Sequence, residues 1–208
     1  MRTFECKKMF CAWINYTELD YNEKEKMDGL DIVFCTLHGG GKFDGENYKS
    51  AAGLHGVGSA CANALSEWLT VEVHKEGGIY KIRFENGGHT VNPCTRVGDC
   101  DDSGTIVEFK PDGTIFKETT VFKYETIRNR IRQMAFLNKG VRIIVSDLRD
   151  ENAENHVSET FHYKGGIKEY VKYLNSSKTA MSEEVIYGEG KLDDVYVEVA
   201  MQYNDTYT

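Results

Sequence analysis

The chain has 208 residues, 40% of them hydrophobic and 12% aromatic, which is enough to bury a core and suits one domain or one domain plus part of another. Its net charge of -8 comes without a basic stripe, so the composition argues against direct binding of duplex DNA, which needs clustered Lys and Arg on the phosphates. Six cysteines without a CxxC pair, and the lack of a charged n-region followed by an apolar run, predict reduced thiols in a cytoplasmic protein with no membrane span.

Residues 1–22 show no clean period and are left unassigned, as a segment foreign to the rest of the chain. From Glu23 the pattern sharpens: Leu30, Val33, Phe34 and Leu37 fall at helical spacing, and Gly39 to Gly41 end the run. A glycine-rich stretch then leads to Ser59, which is expected to cap a helix whose apolar face is Ala60, Cys61, Ala64, Leu65 and Trp68. Leu69, Val71 and Val73 alternate with polar residues, Gly77 and Gly78 turn the chain, and Tyr80, Ile82 and Phe84 alternate again, which reads as a hairpin. After a second turn at Gly87–Gly88 and the polar run GDCDDSG, a strand places Thr105, Val107 and Phe109 on one face.

Further on, Tyr124, Ile127, Ile131, Met134 and Ala135 mark a long helix, with Arg128, Arg130 and Arg132 read as a solvated row and NKG at 138–140 as its stop. VRIIVSD and ETFHY are expected strands, and a helix from Gly166 carries Ile167, Tyr170, Val171 and Leu174 inward. A short strand at Val185 to Tyr187, a turn through Gly188 to Asp194, and the alternation of Val195, Val197, Val199 and Met201 close the chain. Residues 179–208 hold most of the acidic excess. Hairpins mixed with non-alternating helices predict an α+β two-layer sandwich.

The string GLHGVGSACANAL carries the chemistry. Glycines let an anion approach the backbone closely, and a helix N-terminus behind them turns converging N–H groups and a positive dipole end toward it. Lys42, on the same stretch, can add a point charge to a terminal phosphate. His38, His55, His74, His89, His156 and His162 are scattered, the cysteines lack zinc-type spacing, and neither group reads as a metal site.

LHGGGKFDGENYKSAAGLHGVGSACANALS is similar to the ATP lid of the family of DNA gyrase B and topoisomerase IV B proteins, in the GHKL ATPase superfamily. The resemblance continues through SGTIVEFKPDGTIFKETTVFKYETIRNRIRQMAFLNKG, FHYKGGIKEYVKYLN and VYVEVAMQYNDTYT, covering roughly residues 23–208. It implies helices on a mixed β-sheet with ATP between sheet and lid, here as an incomplete ATPase domain over 23–178 and the start of a transducer domain over 179–208. It further implies Lys42 near the phosphates, Tyr48 at the adenine, Gly53, Leu54, His55, Gly56, Val57 and Gly58 as an amide cradle for the triphosphate, and Thr105 in the adenine contact network. Asp44 and Glu46 become lid-surface residues.

ATP and Mg²⁺ are the implied cofactors; the gyrase A protein and DNA are the implied partners of the complete protein, with ATP-driven homodimerisation of its full ATPase region. The family's chemistry uses a Glu base and a Mg²⁺-holding Asn on an early helix, and a DxGxG Asp that reads the adenine. Neither motif stands in place. Glu18 and Asn22 have the right i, i+4 spacing, yet Asn22 falls just before the helix that leads to the lid, leaving no room for the intervening strands. The expectation is a chain lacking part of the domain, without catalytic residues of its own, and with an unpaired sheet edge that residues 1–22 partly cover.

Overall fold

The computed structural model describes residues 9–10, 21–22, 27–38, 56–193 and 195–206, and the chain divides into two units, Met1–Val121 and Phe122–Thr208. The first contains β1 (Met9–Phe10), β2 (Tyr21–Asn22), β3 (Met27–Asp28), α1 (Gly29–Cys35), α2 (Gly58–Ala64), β4 (Ser66–Lys75), β5 (Gly78–Glu85), β6 (His89–Asp99) and β7 (Gly104–Pro111). The α+β class expected from the sequence is what is found.

Five of these strands form one sheet in the order β1-β7-β4-β5-β6. All its pairings are antiparallel, and so is every other strand pairing among the described residues, where the resemblance implied a mixed sheet. Tight turns account for the central strands: Glu76 and Gly77 have φ of 51° and 74°, so a two-residue loop reverses β4 into β5, whereas a parallel pair needs a long crossover.

Period-two alternation sets the core. Val71 pairs with Ile82 on one side and Val107 on the other, and Leu69 with Phe84 and Phe109, so one face of the sheet presents an apolar layer. Leu30 and Phe34 of α1 close that layer, with the Phe34 and Phe84 rings stacked at 6.0 Å between centroids. At one end of this sheet β1 pairs with β7, Met9 and Phe10 standing opposite Val107 and Ile106.

Two expectations need correction in this unit. The helix after the glycine stretch ends at Ala64, not beyond Trp68: Ser66 donates its hydroxyl to the Ala62 carbonyl (2.6 Å), and from Ser66 onward the chain is already paired with β7. Trp68 is therefore a strand residue, and Leu65 and Cys61 are exposed. β6 was not foreseen; it is an edge strand with Pro93 inside it and three register irregularities against β5.

The second unit contains α3 (Tyr124–Leu137), β8 (Arg142–Asp147), a 3-10 turn (Ala153–Asn155), β9 (Val157–His162), α4 (Gly166–Leu174), β10 (Ile186–Leu192) and β11 (Val195–Met201). β8 pairs with β9 and β10 with β11. Phe136 is the buried anchor, its ring stacked on Tyr163 at 3.5 Å and on Tyr170 of α4 at 4.9 Å.

The arginine row is not a uniformly solvated face. Arg128 donates to Glu159 of β9, and Arg132 places its guanidinium over Phe161 (5.2 Å) and Tyr173 (5.4 Å). Leu174, expected inside, is exposed, and β10 runs on to Leu192 through glycines expected to turn. The boundary expected at Thr179 falls inside this second unit. No helix among the described residues is long and apolar enough to cross a membrane.

Candidate functional site

The described part of the glycine stretch begins at Gly56, which has φ of 56°. That left-handed conformation is costly for most side chains and routine for glycine. It turns the chain into Val57, and the first intrahelical bond of α2 runs from the Cys61 amide to the Val57 carbonyl at 2.8 Å. The amides of Gly58, Ser59 and Ala60 lie in the turn before that bond, where a helix leaves its donors without intrahelical partners. Val57 offers no side-chain cap to them. Gly58 is exposed, and a Cβ there would meet no heavy atom of the described residues within 4 Å.

Ser59 was expected to cap this helix and instead lies inside it. Its hydroxyl donates to the Val33 carbonyl of α1 at 2.7 Å, since residue 59 already sits in the helical turn and its side chain reaches the neighbouring helix. One turn later the buried Asn63 amide donates to the Phe34 carbonyl at 3.0 Å. Gly88, with φ of 101°, packs against the same amide so closely that a Cβ would come within 3.1 Å of Nδ2. Two side-chain bonds and one glycine contact therefore fix where the start of α2 points. Sequence reasoning missed Ser59 and Asn63 in this role, since a polar residue near a helix start reads first as a cap.

Thr105 is buried on β7, in register with Val73 and on the same face as Val107 and Phe109. Among the described hydrogen bonds none joins it to residues 56–58. Lys42, Tyr48, Gly53, Leu54 and His55 lie outside the described residues, as does Glu18. Asn22 is in β2, paired with Met27, so it does not stand on a helix face. The structure thus describes Gly56, Val57 and Gly58 together and Thr105 apart from them in the sheet.

A family model described as DNA gyrase B matches residues 166–208. The chain is 46% identical over 187 residues to the DNA gyrase B protein of Halalkalibacterium halodurans, which covers 90% of this chain and 29% of that protein. The corresponding protein of Spiroplasma citri is 46% identical over 91% of this chain and 29% of its own length. That of Staphylococcus aureus is 45% identical over 201 residues, 94% of this chain and 31% of its own, a span too long to begin at Glu23. Among solved structures the chain is similar to the 43K ATPase domain of Thermus thermophilus gyrase B in complex with an aminocoumarin, with a TM-score of 0.72 and 29% identity over 92% of this chain and 47% of that one. The chain therefore spans less than a third of the curated relatives it matches.

Proposed function

Because this chain belongs to the DNA gyrase B family, we propose that it carries the lid side of an ATP pocket from a DNA topoisomerase of the ATP-hydrolysing type II class. The names of the relatives favour gyrase over topoisomerase IV. In this reading the amides of residues 53–58 hold phosphoryl oxygens, Lys42 adds a positive charge at the terminal phosphate, Tyr48 reaches the adenine, and Thr105 supports the adenine contacts from the sheet.

The observation that carries the proposal is the geometry at α2: a left-handed Gly56 delivers the chain to a helix start whose Gly58 is exposed. A phosphate fits there, because its oxygens need convergent N–H donors and a backbone stripped of Cβ. ATP supplies the free energy in the complete protein; what these residues contribute is binding and orientation. Mg²⁺ follows from the family alone, and no Asn stands in the matching position. The gyrase A protein, DNA, ATP-driven dimerisation and a cytoplasmic location belong to the same proposal for the complete protein.

This chain alone binds nucleotide only weakly, and does not hydrolyse it. In an amide NMR titration with ATP, shifts confined to Gly56, Val57, Gly58 and their neighbours, and abolished by Gly58→Val, are the expected result. Amides there that stay unmoved at millimolar ATP overturn the phosphate cradle. Micromolar affinity with Mg²⁺-dependent turnover overturns the claim that this chain carries only one wall of the pocket. The exposed apolar face of β11 favours a second reading, a protein-interaction module indifferent to nucleotide. Binding of a protein partner with no ATP response at residues 56–58 would select it.

A further inference from the structure

The far end of the first unit's sheet brings together three side chains that lie apart in the sequence. His74 ends the pairing of β4, while Cys100 and Asp102 sit in the connection from β6 to β7. One ligand atom from each, an imidazole nitrogen, Sγ and a carboxylate oxygen, lies within 4.8 Å of the other two. His74 Nδ1 is 2.7 Å from Asp102 Oδ1. On the ring's other side Nε2 is 3.0 Å from Glu72 Oε1, and Lys81 holds the remaining Glu72 oxygen at 3.5 Å.

We propose that His74 Nδ1, Cys100 Sγ and Asp102 Oδ1 form a binding site for a thiophilic divalent cation of the zinc class, with water completing the coordination. The donor set selects the ion: one thiolate, one imidazole and one carboxylate suit zinc, whereas magnesium and calcium take oxygen ligands only. Bonds of about 2.0 Å to nitrogen and oxygen and about 2.3 Å to sulfur place tetrahedral ligands about 3.3–3.8 Å apart, so binding requires Asp102 Oδ1 to move out from its 2.7 Å contact with Nδ1, a side-chain rotation on an exposed residue, with Cys100 Sγ adjusting to the ion.

Glu72 supplies the other half of the arrangement. A metal-bound histidine characteristically donates its second ring N–H to a carboxylate, which fixes the tautomer and raises the basicity of the ligating nitrogen. Here Nε2 faces Glu72 and Nδ1 faces Asp102, so the tautomer protonated at Nε2 donates to Glu72 and offers Nδ1 to an ion that displaces the direct contact with Asp102. Both ring nitrogens of His74 thus face carboxylates, which surround the position with negative charge. On binding, the Cys100 thiol gives its proton to solvent and the imidazole ligates in its neutral form.

The backbone is held in place for this. The Cys100 amide donates to the Gly77 carbonyl at 3.3 Å, and Arg96 reaches the same carbonyl (3.2 Å) and Asp99 (2.6 Å). A Cβ at Gly78 would lie 2.8 Å from Arg96 Nε, so a side chain there would displace the Arg96 guanidinium. A bound cation would therefore staple the β4–β5 hairpin to the β6–β7 connection. The site is independent of the nucleotide reading.

The test titrates the full chain with Co²⁺ and with Zn²⁺ under a non-thiol reductant. One equivalent of Co²⁺ is expected to give a thiolate-to-cobalt charge-transfer band that Zn²⁺ abolishes. The band persists in a chain whose only cysteine is Cys100 and disappears in Cys100→Ser. Asp102→Asn and His74→Gln weaken binding, and Glu72→Gln, which touches no ion, weakens it by about 10-fold to 100-fold. Circular dichroism separates loss of the site from loss of the fold, and Asp102, on an exposed loop, provides the variant least able to disturb the sheet. A band that survives Cys100→Ser, or none in the Cys100-only chain, overturns the proposal.

Discussion

The β4–β5 hairpin and the β10–β11 hairpin share a sequence pattern and differ in what covers them. Leu69, Val71, Ile82 and Phe84 are fully buried. Val195, Val197, Val199 and Met201 alternate as cleanly and are 64%, 53%, 45% and 46% exposed. Across from them stand Ile186, Gly188, Gly190 and Leu192, so the face is apolar on both strands where it has side chains at all. Alternation specifies a strand and a sidedness; it does not specify a covering layer. In the first hairpin α1 supplies that layer. The polar face of the second hairpin is better connected than its apolar one, with the Tyr187 hydroxyl 2.7 Å from both the Glu189 and the Glu198 carboxylates, between which its one proton is shared, and the Tyr196 hydroxyl donating to Glu189 at 2.9 Å.

The contrast breaks most sharply under truncation. Phe84→Ala removes a buried ring stacked on Phe34, and is expected to cost about 3–5 kcal/mol in urea unfolding of the chain. Val197→Thr, on the same kind of alternating face, is expected to stay within about 0.5 kcal/mol of the parent. Comparable losses at the two positions would mean that β11 is covered in solution and that the two hairpins are alike after all.

How much of this was legible tracks the same contrast. The β4–β5 hairpin could be read because period two, β-branched residues and a glycine turn agree, although the turn is Glu76–Gly77 and Gly78 already belongs to β5. β6 could not, because Pro93 and its edge position leave it no apolar alternation, and its bulges break the period. The end of α2 was misread because Leu65 and Trp68 continue a helical spacing across a boundary set by pairing with β7. The arginines of α3 looked solvated because Glu159 lies far along the chain from Arg128. At the candidate site the glycines were visible through resemblance to a family, whereas Ser59 and Asn63 act on carbonyls of another helix that no local pattern marks. His74, Cys100 and Asp102 fit no ligand spacing because turns, and not sequence neighbourhood, bring them together.

Asn63 gives the next effect in size and sharpens the comparison at the α1–α2 layer itself. Its amide is buried, donates to Phe34 O, and contacts Gly88, while its Oδ1 finds no partner among the described residues. Asn63→Ala leaves the Phe34 carbonyl without this donor, and is expected to cost about 1–3 kcal/mol. Because the bond positions α2, the same variant is expected to alter the amide resonances of Gly56 to Gly58 without added ligand. A destabilised chain with those resonances unchanged would separate the packing of the layer from the placement of the glycine turn.

The smallest effect concerns the second unit, where polar contacts take a larger part. Arg128 hydrogen-bonds Glu159 and holds its carboxyl below the usual range, aided by the Tyr124 hydroxyl at 3.3 Å and by Arg132 at 3.8 Å. Glu125 also faces Arg128, at 3.3 Å, and shares its charge. A carboxyl whose pKa is lowered on folding contributes stability above its unfolded pKa of about 4.5, and loses that contribution as pH falls through the folded value. The difference in thermal midpoint between the parent and Glu159→Gln should therefore be constant near neutral pH and shrink below the ordinary glutamate range. Both partners are partly exposed, so the difference is small and narrows further in high salt. A difference that instead grows on acidification would mean that the protonated carboxyl is the form that β9 and α3 hold.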